Sequence, residues 1–203
     1  MNTQTAALLV VAALFLPILF GCGSDEDEGA GSPAGGAPGT PPPAVVKVAM
    51  EVQDRGMVTF ELYPGKAPET CAQILDLIEK GFYDGQKIHR VLNWVTQWGD
   101  PQSKDLTPGD LRIGTGGSGN RLPFEETDLE MVRGVLAMAS GGKKVGGDSQ
   151  MFILKSDSAG LQGDYCGFGK VVEGMDVVDA IQPYDVIVSM RRLSAQPGAG
   201  SAE

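Results

Sequence analysis

The sequence is poor in the residues on which most enzyme chemistry is built. Its 203 residues include one histidine, His89, and three cysteines, Cys22, Cys71 and Cys166, too far apart for a CxxC pattern. A zinc site would therefore have to rest on carboxylates. A catalytic triad would have to use His89 as its base, and no GxSxG or comparable nucleophile motif accompanies it. Lys/Arg-rich runs are also missing, and the formal net charge is −10. A phosphate backbone demands clustered cations, so nucleic acid is not an expected partner. Gly114–Gly119 (GTGGSG) is glycine-rich but lacks the Lys-Ser/Thr pair of a phosphate loop and no helix pattern follows it directly, and Gly141–Gly147 has Lys143 and Lys144 but no such arrangement either. Both read as mobile loops. No metal and no cofactor is expected.

The first forty-three residues do not read as fold. Residues 6–20, AALLVVAALFLPILF, form an apolar run shorter than the roughly 20 residues of a membrane helix, and suited to a signal peptide. The run ends in Leu19-Phe20-Gly21-Cys22, which resembles the lipobox of bacterial lipoproteins. Residues 1–21 are then a cleaved signal, and Cys22 is the acylated first residue of the mature chain. Several acyl chains hold a protein on a membrane where one does not. Residues 22–43 are rich in Gly, Pro and acidic residues and predict a disordered tether. As a flexible coil it would span roughly 25 Å. Residues 194–203 predict a frayed tail. The folded domain is expected at 44–193, lipid-anchored on a bacterial cell envelope and facing the periplasm or exterior.

Inside the domain, alternating apolar residues predict strands over Val45–Val52, Met57–Leu62, Gln86–Asp100, Met131–Met138, Ser149–Leu154, Cys166–Val172 and Asp185–Leu193. Two helices are expected, one from Pro68 to the stop at Gly81 and one over Met175–Gln182. Residues 101–123 read as a long loop. Strands without a βαβ rhythm favour an antiparallel barrel or sandwich. Along Gln86–Asp100, strict alternation would put Ile88, Arg90 and Leu92 on one face and His89 on the other. That makes His89 a scaffold residue and leaves Arg90 as the charged group on an apolar face. Cys71 and Cys166 read as core thiols. A disulfide between them would need an oxidising compartment and a close Cα approach.

The order of the blocks MVTFELYPGKAPETCAQI, GFYDGQKIHRVLNWVTQWGDP, GTGGSGNRLPFEET, GVLAMAS, SQMFI and GFGKVVEGMDVVDAI resembles the cyclophilin family of peptidyl-prolyl cis–trans isomerases across nearly all of 44–193. The resemblance implies a mainly β fold, a closed eight-stranded antiparallel barrel capped by two α-helices. It implies that Arg90 is the catalytic arginine and that Gln97 holds it and contacts the substrate backbone. Trp94 and Val95 stand at pocket positions that are commonly phenylalanine and methionine. Phe152 and Leu161 match walls of the proline pocket. Ala139, Ser140 and Gln150 match the groove for the peptide backbone, and Tyr165 a position that is histidine in many members.

Two departures matter. Trp98 replaces a family glycine, and its bulk is expected over the loop at 101–113. Gly160 stands where some eukaryotic members carry a tryptophan that helps bind cyclosporin, which implies weak cyclosporin binding. The expected activity is isomerisation of Xaa-Pro bonds in unfolded or exported proteins, by a monomer whose partners are proline-containing segments and, through Cys22, a membrane. Trp94 and Trp98 also allow a second reading, a weakly active or inactive proline-binding or chaperone module. A third, a purely structural lipoprotein, leaves Arg90 unexplained.

Overall fold

A computed structural model of the protein describes residues 45–194. The expected signal at 1–21, the expected acylation of Cys22, the expected tether at 22–43 and all but the first residue of the expected tail fall outside the described residues. Within them, no helix is long and apolar enough to cross a membrane.

Eight strands form one antiparallel sheet: β1 (Val46–Val52), β2 (Gly56–Leu62), β3 (Arg90–Val91), β4 (Val95–Trp98), β5 (Val135–Met138), β6 (Met151–Leu154), β7 (Gly167–Glu173) and β8 (Ile187–Arg192). Their order is β3-β4-β6-β5-β7-β2-β1-β8. The two edges meet through the residues just before them. Lys87 and Val186 form an antiparallel bridge, and Ile187 N donates to Gln86 O at 2.9 Å. The sheet thus curls until its ends join, which removes the exposed edges that would invite pairing with other chains. Helices α1 (Pro68–Glu79) and α2 (Met175–Ala180) pack against β8 and β2 respectively.

The enclosed core takes Val48, Met50, Phe60, Leu62, Leu136, Met151, Ile153, Phe168 and Met190 from the strands, and Cys71, Ile74 and Ile78 from α1. Ala67, before α1, has no side chain with which to cap it. The orphan amides of the first turn are satisfied from far away: Glu125 accepts from Glu69 N at 3.0 Å and from Thr70 N at 2.7 Å. Cys71 and Cys166 are both buried and free. Cys71 Sγ donates to Phe168 O at 3.7 Å, and Cys166 Sγ lies 3.6 Å from Thr70 Oγ1.

Three sequence expectations are corrected. Gln86–Asp100 is a hairpin, β3 and β4, and not one strand. Leu92 N donates to Val95 O at 2.8 Å, closing a two-residue loop at Asn93-Trp94. Strict alternation therefore fails before Arg90: Ile88 is fully buried in the core, held by Ile88 N to Asp185 O at 2.9 Å, whereas Arg90 is exposed. Residues 131–134 are a turn leading into β5, because Gly134 takes φ +88° and Val135 N returns to Val132 O. Short 3₁₀ turns at Pro101–Ser103 and Ala159–Leu161 were not anticipated.

Candidate active site

The β3–β4 register pairs Arg90 with Gln97, and the β4–β6 register pairs Gln97 with Phe152. Alternation along β4 sends Val95 and Gln97 to the outer face of the sheet and Thr96 and Trp98 inward. A second, smaller apolar cluster forms on that outer face. Val95, Val135, Ala137, Phe152 and Leu154 are its floor, and Trp94, Ala139, Leu161 and Tyr165 pack around it. The Tyr165 ring meets Phe152 edge-on, with centroids 5.7 Å apart. Between them lies a cavity of about 120 Å³ lined by Arg90, Trp94, Val95, Gln97, Ala139, Ser140, Phe152, Leu161 and Tyr165.

A chain of side chains fixes the arginine at its rim. Arg90 Nη1 donates to Gln97 Oε1 at 3.1 Å, and Gln97 Nε2 donates to Gln150 Oε1 at 2.9 Å. Gln150 Nε2 donates in turn to Gly114 O at 2.9 Å and Gly116 O at 2.8 Å. The guanidinium carbon of Arg90 stands 5.4 Å from the centre of the Trp94 ring, in cation–π range. Arg90 has no carboxylate partner among the described residues, so its charge is free for whatever enters the cavity. An apolar slot with one fixed, unneutralised donor at its edge can grip a ring and polarise a neighbouring amide.

Nine of the ten site residues expected from sequence line this slot, and the tenth, Gln150, lies one step behind, bonded to Gln97. His89 lies outside it. Burial pushes its imidazole below the ordinary histidine value, and neighbouring Arg90 adds to that, while Asp100 and Gln150 oppose it. Both ring nitrogens are buried, and neither has a partner at hydrogen-bonding geometry among the described residues. His89 is thus scaffold, packed against Gly114 and not in the slot.

The glycine-rich loop at 114–119 is not the mobile loop its composition suggests. Buried Asp100 accepts from Gly114 N at 2.5 Å and Gly116 N at 3.1 Å, and Asp148 accepts from Ser118 N at 2.7 Å and Gly119 N at 3.0 Å. A Cβ on Gly116 would sit 2.4 Å from Asp100 Oδ1, and one on Gly117 2.6 Å from Asp148 Oδ2. The glycines permit two carboxylates to clasp the loop that anchors Gln150. Sequence reading missed both aspartates; the signal was a Gly-rich run matched to two distant acidic residues, which no local spacing reveals.

Residues 47–196 match the family model described as cyclophilin type peptidyl-prolyl cis-trans isomerase/CLD. The chain belongs to the cyclophilin family. It is therefore a peptidyl-prolyl cis–trans isomerase by family and by curated relatives. It is 40% identical over 139 residues to a probable peptidyl-prolyl cis-trans isomerase of Brucella suis, covering 66% of this chain and 70% of that one. It is 36% identical to peptidyl-prolyl cis-trans isomerase B of Bacillus subtilis, covering 69% of this chain and 93% of the relative. A crystal structure of a cyclophilin-type isomerase from Cryptosporidium parvum superposes with TM-score 0.66 at 26% identity, covering 75% of this chain and 99% of that one. A second structure of that protein, in the presence of the dipeptide Ala-Pro, has TM-score 0.64 at 26% identity, covering 73% and 99%. The cyclophilin fold read from the sequence, mainly β with eight antiparallel strands and two helices, is the fold observed. Trp98, the departure that threatened the slot, corrects the expectation for it. It does not lie over the 101–113 loop but is fully buried in the cyclophilin core, stacked on Phe60 with ring centroids 6.2 Å apart.

Proposed function

We propose that this cyclophilin isomerises Xaa-Pro bonds of unfolded or exported polypeptides, with Arg90 stabilising the twisted amide and Gln97 holding Arg90. The observation that carries this is the hydrogen-bonded series Arg90–Gln97–Gln150, ending at the rim of an apolar slot. Amide resonance sets a rotation barrier of about 18–20 kcal/mol. As the bond twists, the prolyl nitrogen regains its lone pair and becomes an acceptor. A donor already fixed at that point interacts with the twisted state more strongly than with either planar one, which lowers the barrier. Trp94, Val95, Phe152, Leu161 and Tyr165 grip the ring and exclude water. Gln97 and the segment just after β5, at Ala139 and Ser140, receive the peptide backbone. No nucleophile takes part.

The test is isomerisation of an Ala-Pro peptide by the wild-type protein and by Arg90→Ala. Loss of a preorganised donor should lower kcat/KM by about 10²–10³-fold. Equal rates would defeat the assignment of Arg90.

The cellular reading is that Cys22 is acylated and holds the domain to a bacterial envelope membrane, where exported chains are its clients and it works as a monomer. The Gly21-Cys22 junction after an apolar run supports it. Mass spectrometry of the mature N-terminus should find acyl chains on Cys22, and an unmodified residue there would defeat the anchor. Weak cyclosporin binding accompanies the same reading, since a Cβ at Gly160 would meet nothing within 4 Å. Nanomolar affinity by calorimetry would refute it.

A further inference from the structure

The seven arginines of this acidic chain divide in an informative way. Five are ion-paired: Arg55 with Asp185, Arg112 with Asp110, Arg133 with Asp179, Arg191 with Asp84 and Arg192 with Glu79. Among the described residues only Arg90 and Arg121 have no carboxylate partner. Arg90 stands at the slot. Arg121 lines a second cavity of about 520 Å³ that shares Gln97, Ala139 and Ser140 with the slot. The two cavities adjoin at these three residues, and each is lined by one guanidinium without a carboxylate partner among the described residues.

The surroundings of Arg121 leave it available. Its Nη2 lies across Gly141, 3.8 Å from where a Cβ would sit, with no side chain there to cover it. Asp148 is the one carboxylate in the lining of this cavity. Both its oxygens are engaged by the glycine loop, Oδ1 by Ser118 N and Ser118 Oγ and Oδ2 by Gly119 N. Asp148 is committed to holding Gly117–Gly119 and does not turn to Arg121. Glycines 114, 116, 117, 119 and 141 leave much of the wall without side chains, and Arg121 is the one cation among its lining residues.

We infer that Arg121 is a specificity-determining residue that selects substrates carrying an acidic side chain near the proline. This rests on the isomerase reading and names a substrate class for it. With the proline ring in the slot, the backbone passing Ala139 and Ser140 brings a flanking residue into the second cavity. A glutamate or aspartate there meets a guanidinium whose fork suits a carboxylate and which has no carboxylate partner among the described residues to displace. A lysine there meets like charge. The site is solvent-open, so the preference is that of a partly exposed ion pair and is screened by salt.

The test is a set of Ala-Pro peptides with Glu, Gln or Lys at successive positions on either side of the Ala-Pro pair. Exchange between isomers is followed by NMR, without a coupling protease. The quantity read is the Glu-to-Gln ratio of kcat/KM within each protein, so any general change in activity cancels. Wild type should favour Glu by about two- to five-fold at the position that reaches the cavity. The ratio should fall to one in Arg121→Gln and below one in Arg121→Glu, where the Lys-to-Gln ratio should instead rise above one. A ratio of one at every position in wild type, or one that survives in Arg121→Gln, would overturn the inference and leave the isomerase reading intact. Catalysis of no peptide by wild type would overturn both.

Discussion

Arg90 and Gln97 face each other across the β3–β4 hairpin, and the guanidinium donates to the Gln97 carboxamide at 3.1 Å. The seven-residue spacing is a product of the turn. A two-residue loop at Asn93-Trp94 brings Arg90 opposite Gln97 and leaves Gln97 Nε2 free to reach Gln150. Holding the fork through one nitrogen leaves the others for substrate. A lysine cannot be held and serve in this way, because its ammonium is a point charge on a flexible stem. Arg90→Lys should therefore lose about 10²-fold in kcat/KM, close to the loss in Arg90→Ala. Gln97→Ala should lose about 10-fold through misplacement of the arginine. Steady-state rates on an Ala-Pro peptide, with thermal melts to show that these exposed-face changes leave the fold intact, check both.

Trp98 and Gln97 are neighbours with opposite duties. Gln97 faces the slot, and Trp98 fills the core against Phe60. Restoring glycine at 98 should not improve catalysis. It should open a large cavity in the barrel and cost about 3–5 kcal/mol, with a further 0.5–1 kcal/mol from glycine in a strand, by rough mutational precedent. Trp98→Phe should cost less, since the indole Nε1 makes no hydrogen bond that would be lost. Denaturant unfolding measures the cost. The isomerase rate of the still-folded fraction should remain within about two-fold of wild type, because Trp98 does not line the slot.

Much of this was legible in the sequence. Apolar alternation placed β1, β2, β6, β7 and β8 to within two residues, and proline and glycine bounded α1, because each of those signals is local. The hairpin at Asn93-Trp94 was hidden, since neither residue carries the glycine signature of a tight turn and the apolar pattern runs through it. The face of Trp98 was equally hidden: once the strand breaks at the turn, alternation must be counted afresh from Val95. Asp100 and Asp148 were invisible because their partners are backbone amides brought near by the fold. The same holds for Arg121, whose distinction is that no carboxylate among the described residues reaches it.

His89 gives a pH signature that no other side chain can supply. Burial lowers its pKa below the ordinary 6.5, so it stays neutral in the fold when the unfolded chain would protonate it. As pH falls through 6.5 the unfolded state binds a proton that the native state refuses. Stability therefore falls, and it continues to fall down to the native pKa. Asp84 and Asp179, whose pKa values are lowered by Arg191 and Arg133, act only at more acidic pH. Between pH 7.5 and 5.5 the wild type should lose stability in urea and His89→Gln should stay nearly flat. Parallel profiles for the two proteins would contradict the assignment.

The two core thiols should be chemically silent. Burial pushes Cys71 up to about 12 and Cys166 up to about 11, far above the ordinary value. Only the thiolate attacks an alkylating reagent, so both are protected twice, by access and by protonation. Their hydrogen-bonding partners are Phe168 O and Thr70 Oγ1, and neither thiol is bonded to the other. In the native protein at pH 8, iodoacetamide should leave both unlabelled over hours. In denaturant without reductant both should label, as expected of free thiols. Peptide mass mapping distinguishes these from Cys22. Labelling of Cys71 or Cys166 at the rate of an exposed cysteine would mean that α1 opens from the barrel far more readily than its buried face at Cys71, Ile74 and Ile78 allows.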